Sequence, residues 1–405
     1  MTSPATTLDP ASAPAPAYGS ASLCDLLPAV VRGLGVPELQ QSGLQQSGLQ
    51  QGGLPATGLV LPPADRVCVF LVDGLGWELL RAHADEAPFL NSLLPSSLAG
   101  TGQPLAAGFP ATTATSLASV GTGLPPGAHG LAGYTVRIPG DGRLMNQLRW
   151  QPHVTPRTWQ PYPTVFQLAD RAGVATFQVS SPKFQYTPLT EVALSGGLFL
   201  GRLSGEERMD LAADRLASAD RTLVYTYYSE LDAMGHRYGV DSDAWRGQLM
   251  VVDRLAQRLA EQLPPRSALY VTADHGMIDI APEQRIDFDQ DAELRAGVAV
   301  LGGEGRARHV YAVPKAEGDV FAVWSERLGD RMWVATRDQA IAQGWFGPVV
   351  EDRVYQRIGD VVAAARDDMA VIASRREPGE SGMVGLHGSM TPVEQLVPLL
   401  EVRHN

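Results

Sequence analysis

Two arrangements of apolar residues alternate along the chain. One is a short continuous run; the other is a longer stretch with apolar residues every three or four positions. Val67–Val72 is the clearest run, and it ends in Asp-Gly-Leu-Gly. An unbroken run of this length predicts a strand covered on both faces, followed by a turn into a helix over Trp77–Ala84. The arrangement recurs. A helix over Thr164–Ala172 precedes a strand over Val174–Ser180, one over Glu206–Ala217 precedes Thr222–Tyr228, and one over Ser242–Leu263 precedes Ala268–Thr272. In the last helix Leu249, Val252, Leu255 and Leu259 keep helical spacing. Strands alternating with helices predict an α/β fold with a doubly wound, mostly parallel sheet flanked by helices.

Two regions break the rhythm. Residues 296–373 read as a small inserted α+β subdomain. Its strands fall at Gly297–Leu301, His309–Val313 and Met332–Thr336, and its helices at Asp319–Leu328 and Arg337–Gln343. The chain returns to the core over Gly385–Leu400. Near the start, Ser22–Gly33 predicts a short helix with Leu23, Leu26, Leu27, Val30 and Val31 on one side. Met1–Tyr18 is rich in Ala, Pro, Ser and Thr and offers nothing to bury, so it is expected to be disordered. A five-residue repeat, Leu-Gln-Gln-Ser-Gly, begins at Leu39, Leu44 and, as a variant, Leu49. A period of five fits neither helix nor strand, and the copies are too few for a solenoid. Residues 1–62 are therefore expected to form a flexible N-terminal segment carrying this Gln/Gly/Leu repeat, and 63–405 one large domain with its insertion.

Bulk composition narrows the partners. The chain has 405 residues, 44% of them hydrophobic, and a formal net charge of -12. That charge excludes nonspecific binding to a nucleic-acid duplex, which needs a basic surface. It is compatible with an anionic small molecule, because bound cations would dominate the local field. Cys68 lies inside the first apolar run and reads as a core residue; Cys24 has no obvious partner, so no disulfide framework is expected. The N-terminus lacks the basic start and apolar stretch of a secretion signal. No stretch reaches the ~20 apolar residues of a membrane span. A soluble, cytoplasmic protein is expected.

Against this frame, residues able to hold a metal fall at the ends of the expected strands. Asp73 directly follows the first strand, and Asp274 and His275 directly follow another. In open α/β sheets ligands bind beyond the carboxyl ends of strands. Asp232 and His236, at i and i+4 after Thr222–Tyr228, share one face of a helical turn. His387 sits between Leu386 and Gly388 in the returning segment. The segment Phe109–Gly130 is dense in hydroxyls and reads as a loop entering a helix over Ala114–Val120, stopping at Gly121 or Gly123. A threonine at that helix start meets free backbone N–H groups, a favourable place for phosphate. His129, after Pro-Pro-Gly-Ala, reads as a residue that orders a turn.

Four pieces occur in order: VFLVDGLG, FPATTATSLASVGTGLPPGAHGLAGY, ELDAMGHRYG with VTADHGM, and GLHGS. Together they resemble the alkaline phosphatase superfamily, and most closely its type I phosphodiesterase/nucleotide pyrophosphatase branch, over about Arg66–Thr391. The resemblance implies an alkaline phosphatase-like catalytic domain and a metal-dependent hydrolase of phosphate esters or nucleotides. It implies two divalent metal ions, zinc in that branch, although mixed Asp/His ligands suit several cations. One ion would be held by Asp232, His236 and His387. The other would be held by Asp73, Asp274 and His275, with Thr113 as nucleophile and neighbouring ligand. Thr113 stands at the fifth position of the Phe-Pro segment, where that branch keeps its threonine; the sequence alone does not separate it firmly from Thr112. Two departures stand out: Thr115 and Ser116 replace a Pro-Asn pair, and Leu231 replaces a proline. Ser116, Phe184 and Tyr186 are the candidate substrate contacts, with Tyr228 a further aromatic. Alternatives with the same site are a phosphomonoesterase or phosphonate hydrolase, for which Lys183, Arg149 and Arg157 would supply positive charge, and a non-catalytic metal-binding member of the fold.

Overall fold

The computed structural model describes residues 13–36, 54–94 and 103–405. The five-residue repeat lies outside the described residues.

The central sheet is built from the apolar runs. Its strands are β1 (Arg66–Val72), β2 (Ala175–Ser180), β3 (Leu198–Gly201), β4 (Thr222–Tyr228), β5 (Ser267–Ala273) and, at the chain's end, β10 (Leu399–His404). They lie in the order β10-β5-β1-β4-β2-β3. All neighbours are parallel except β10, which runs antiparallel to β5 at one edge. Helices cover both faces, so the strands need no polar side, and Val67–Val72 is buried throughout. The fold is α/β with a mostly parallel central sheet flanked by helices.

Register is what positions chemistry. Val72 pairs with Tyr228 on one side and with Ala273 on the other. The residues after β1, β4 and β5 therefore leave the sheet at one level. Asp73 and Asp274 are among them. After β4 comes the helix Glu230–Tyr238, which carries Asp232 and His236. The hydroxyl-rich loop enters the helix Thr113–Thr122. This helix passes through Gly121 and ends at Gly123, whose φ is 69°. Gly121 is needed where it stands: a Cβ there would lie 1.5 Å from the carbonyl oxygen of Ala193.

A second sheet lies within the expected insertion. Strands β6 (Val298–Glu304), β7 (Ala307–Ala312), β8 (Met332–Thr336) and β9 (Val361–Ala365) form an antiparallel sheet in the order β6-β7-β9-β8. The helix Glu317–Leu328 packs against it through Val320, Trp324 and Leu328. Strand β9 went unread in the sequence because its sequence, VVAAA, lacks large apolar residues. The insertion is tied to the core by a fully buried ion pair, Arg306 Nη2 to Glu394 Oε2 at 2.5 Å.

One expectation is corrected. The segment through residue 62 is not uniformly flexible. Leu23–Gly33 is a helix started by a capping box between Ser22 and Asp25. Its Leu23, Leu26, Leu27, Val30 and Val31 are buried in the main core. Its apolar face is wide enough to hold it there.

Candidate functional site

Glycines let the site loops close on one another. Gly74 has φ 76°, and a Cβ there would sit 3.1 Å from that of Asp232. A Cβ on Gly76 would come within 2.8 Å of the Gly276 Cα. The loops after β1 and β5 thus touch backbone to backbone. The returning segment pairs with the stretch after β5, Leu386 opposite Ile278, and so delivers His387.

Two groups of side chains converge. Asp232, His236 and His387 each offer a ligand atom within 4.8 Å of the others, and so do Asp73, Asp274 and His275. The groups adjoin: the His275 and His387 rings stack at 3.7 Å, and the Nε2 atoms of His387 and His236 are 3.3 Å apart.

The histidines are fixed from behind. Nδ1 of His236 lies 2.8 Å from the Gly385 carbonyl oxygen, that of His387 2.8 Å from Ala111 O, and that of His275 3.0 Å from Gly276 O. A carbonyl only accepts, so each Nδ1–H donates and each ring turns its Nε2 into the site. Facing them are carboxylate oxygens without a hydrogen-bond partner: Asp73 Oδ1, Asp232 Oδ1 and Asp274 Oδ2. His275 Nε2 is 3.5 Å from both Asp73 Oδ1 and Asp274 Oδ2, and His236 Nε2 is 3.5 Å from Asp232 Oδ1. The other oxygen of Asp274 accepts from the backbone N–H of Gly74 and of His275, each at 3.1 Å. Tyr227 donates its hydroxyl to Asp73 Oδ2.

This is an expensive arrangement without a cation. Burial, then the neighbouring carboxylates of Asp274 and Asp232, push the Asp73 carboxyl well above the usual range. Burial also raises Asp274. Burial, followed by the His275 and His236 rings, drives His387 well below the ordinary imidazole value. Imidazole nitrogens beside unpaired carboxylate oxygens are a donor set that suits a divalent cation.

Thr112 and Thr113 are separated by geometry. Thr113 begins the helix Thr113–Thr122, and its Oγ1 lies 3.2 Å from His275 Nε2. Thr112 lines the same cavity as Thr113, and its hydroxyl donates to Glu304 Oε2 at 3.2 Å.

The remaining candidates divide. Phe184 lines the adjoining cavity, as do Lys183 and Arg149. Ser116 is buried one turn beyond Thr113, with its hydroxyl unpaired, but does not line the cavity. Tyr186 is corrected: it is 89% exposed and outside this cavity. Tyr228 bonds Gln248 at 2.7 Å, and Arg157 is held by Ser195 at 2.6 Å. His129 is buried in its turn, bonded to Ser119 and to the Leu131 N–H. Reading the sequence missed Tyr227 and Glu304. Tyr227 is hidden inside an apolar strand, and Glu304 reaches the site only through the packing of the insertion.

The model of one family, described as type I phosphodiesterase / nucleotide pyrophosphatase, matches residues 67–390. The chain belongs to that family. Among solved structures, murine ectonucleotide pyrophosphatase/phosphodiesterase 5 is similar at TM-score 0.64 and 18% identity, covering 82% of this chain and 87% of that one. An inactive threonine-to-alanine variant of the murine protein, in complex with AMP, gives the same TM-score and identity, over 83% and 87%. The human counterpart gives 0.62 at 16% identity, over 83% and 87%. At these identities the likeness speaks for the fold. No curated protein sequence matches. Among the described residues, no helix is long and apolar enough to cross a membrane.

Proposed function

We propose that this family member is a two-metal phosphodiesterase or nucleotide pyrophosphatase that forms a phosphothreonine intermediate on Thr113. The observation that carries the reading is the convergence of three histidine Nε2 atoms and three unpaired carboxylate oxygens beside the Thr113 hydroxyl. Asp232, His236 and His387 would hold one cation. Asp73, Asp274 and His275 would hold the other, next to Thr113. Imidazole mixed with carboxylate suits zinc. Bound there, such a pair supplies Lewis-acid stabilisation of the phosphoryl oxygens and lowers the pKa of an adjoining hydroxyl.

The chain's own residues do the rest. Thr113 Oγ1 loses its proton to solvent and bonds to phosphorus, while the bond to the leaving oxygen breaks. Water then attacks phosphorus, the bond from phosphorus to Thr113 Oγ1 breaks, a proton from that water restores the Thr113 hydroxyl, and the phosphate monoester is released. The N-terminus of the helix Thr113–Thr122 favours the added negative charge. Tyr227 orients Asp73, and the carbonyls of Ala111, Gly276 and Gly385 orient the histidines. The inactive murine relative, itself a threonine variant bound to AMP, supports a threonine nucleophile and a nucleotide-like ligand.

Thr113→Ala tests the reading. With bis-p-nitrophenyl phosphate as substrate, kcat is expected to fall on the order of a thousandfold or more, because a nucleophile is lost. Zinc content should stay at the wild-type level. Undiminished turnover would remove Thr113 from its role. Faster hydrolysis of p-nitrophenyl phosphate than of the diester would favour the monoesterase alternative.

A further inference from the structure

Glu304 is the last residue of β6, and it pairs with Ala307, so only Gly305 and Arg306 turn the chain into β7. The turn is anchored. Arg306 is locked to Glu394 by the buried ion pair, and its Nη1 donates to the Met369 carbonyl at 2.6 Å. The Gly303 carbonyl accepts from Thr135 Oγ1 at 2.9 Å. A tight, anchored turn of the insertion thus brings one carboxyl group to the cavity that Thr112 and Thr113 line.

That carboxyl meets two segments at once. Its Oε2 accepts from Thr112 Oγ1 at 3.2 Å and lies 3.7 Å from His387 Nδ1. A Cβ on Gly388 would come within 3.0 Å of its carboxyl carbon. The two segments are also tied to each other. The Ala111 N–H donates to the Gly388 carbonyl at 2.9 Å, and His387 Nδ1–H donates to the Ala111 carbonyl at 2.8 Å.

Thr112 is the N-cap of the helix Thr113–Thr122 and has extended backbone, yet its side chain makes no cap bond. A threonine in that position ordinarily accepts from an N–H of the first turn, which stabilises the helix. Here the hydroxyl is given to Glu304 instead, one residue before the Thr113 side chain.

We propose that Glu304 is a positioning residue for Thr113: by holding the Thr112 hydroxyl it fixes the loop that aims Thr113 Oγ1. The inference rests on the reading of Thr113 as nucleophile and adds to it a residue of the insertion. Glu304 acts through Thr112, as a hydrogen-bond acceptor. A reacting atom displaced by about 1 Å loses on the order of a hundredfold in rate.

The test uses the full chain loaded with zinc and bis-p-nitrophenyl phosphate. Thr112→Val and Glu304→Ala should each lower kcat by between about tenfold and a hundredfold and leave KM within about twofold, because the aim of Oγ1 is lost and substrate binding is kept. The double variant should fall no further than the slower single one, since both remove the same link. Thr112→Ser keeps the donor and Glu304→Gln keeps an acceptor, so each should recover to within about threefold of wild type. Zinc content should match wild type in every variant. A second readout does not depend on turnover. In the metal-stripped protein, deuterium exchange over residues 111–116 should speed about fivefold in Thr112→Val and Glu304→Ala, not in Thr112→Ser, with the rest of the chain unchanged. Thr112→Val is isosteric and decides alone if Glu304→Ala does not fold. Unchanged kcat in Thr112→Val, additive losses in the double variant, or a Glu304→Gln as slow as Glu304→Ala overturns the inference. Zinc lost from Glu304→Ala overturns it too, because Glu304 would then be a ligand. Full turnover by Thr113→Ala overturns the nucleophile reading instead. The exchange measurement then decides the inference: faster exchange in Thr112→Val upholds the Glu304 anchor, and unchanged exchange overturns it.

Discussion

Asp73 shows what the site demands of single residues. It is buried beside Asp274 and Asp232, and one of its oxygens has no hydrogen-bond partner. Charge of one sign concentrated in a dry place opposes folding until a cation enters. The sign of the pH effect follows. A carboxyl whose folded pKa is raised contributes stability that is fully present below its ordinary value and is lost as pH rises through the folded value. Asp73→Asn should therefore stabilise the metal-free protein, by about 1 kcal/mol or more at pH 8 and by little near pH 4. Thermal unfolding of both proteins in chelator across that range checks it. An equal or lower melting temperature for the variant at pH 8 would contradict the account. With zinc present, the order should reverse, because the variant lacks a ligand.

At the scale of elements, the site depends on three strands ending at one level and on turns tight enough to let their loops meet. Gly276 is the sharpest case: a Cβ there would lie 1.9 Å from the Val393 carbonyl oxygen and 3.0 Å from the Gly76 Cα. Both are backbone and cannot swing aside. Gly276→Ala should cost about 3 kcal/mol or more and weaken zinc retention, read by denaturant unfolding and metal analysis. The same elements explain what could be read from sequence. Strands β1, β4 and β5 are continuous apolar runs, and Asp73 and Asp274 follow β1 and β5 directly, so the metal-site candidates could be found from order alone. Strands β3, β9 and β10 are short, alanine-rich or at an edge, and their pairing is a matter of tertiary contact. Phe184 and Tyr186 differ by two positions in sequence; only the folded backbone sends one to the cavity and the other to solvent.

For the whole molecule, the coupling between the insertion and the core decides whether the site holds together. Glu394 is central to it. It pairs with Arg306, accepts from the Ser389 N–H at 3.0 Å, and receives the Thr391 hydroxyl at 2.5 Å. Ser389 is two residues from His387, so the pair that fixes the insertion also fixes the segment bearing a candidate ligand. Breaking a buried pair by removing one partner strands the other charge. Glu394→Gln should lower stability by about 3 kcal/mol and reduce diester hydrolysis with it. Unchanged stability would mean that the insertion is held by other contacts.

The central claim is that one pocket grips two cations beside Thr113. Metal analysis of the purified chain after zinc loading and dialysis tests it most directly, with diester hydrolysis measured on the same sample before and after chelation. About two zinc ions per chain, with hydrolysis lost on chelation and regained on adding zinc, is the predicted result. A chain that retains no zinc, or that hydrolyses the diester equally well after the metal is stripped, would contradict it.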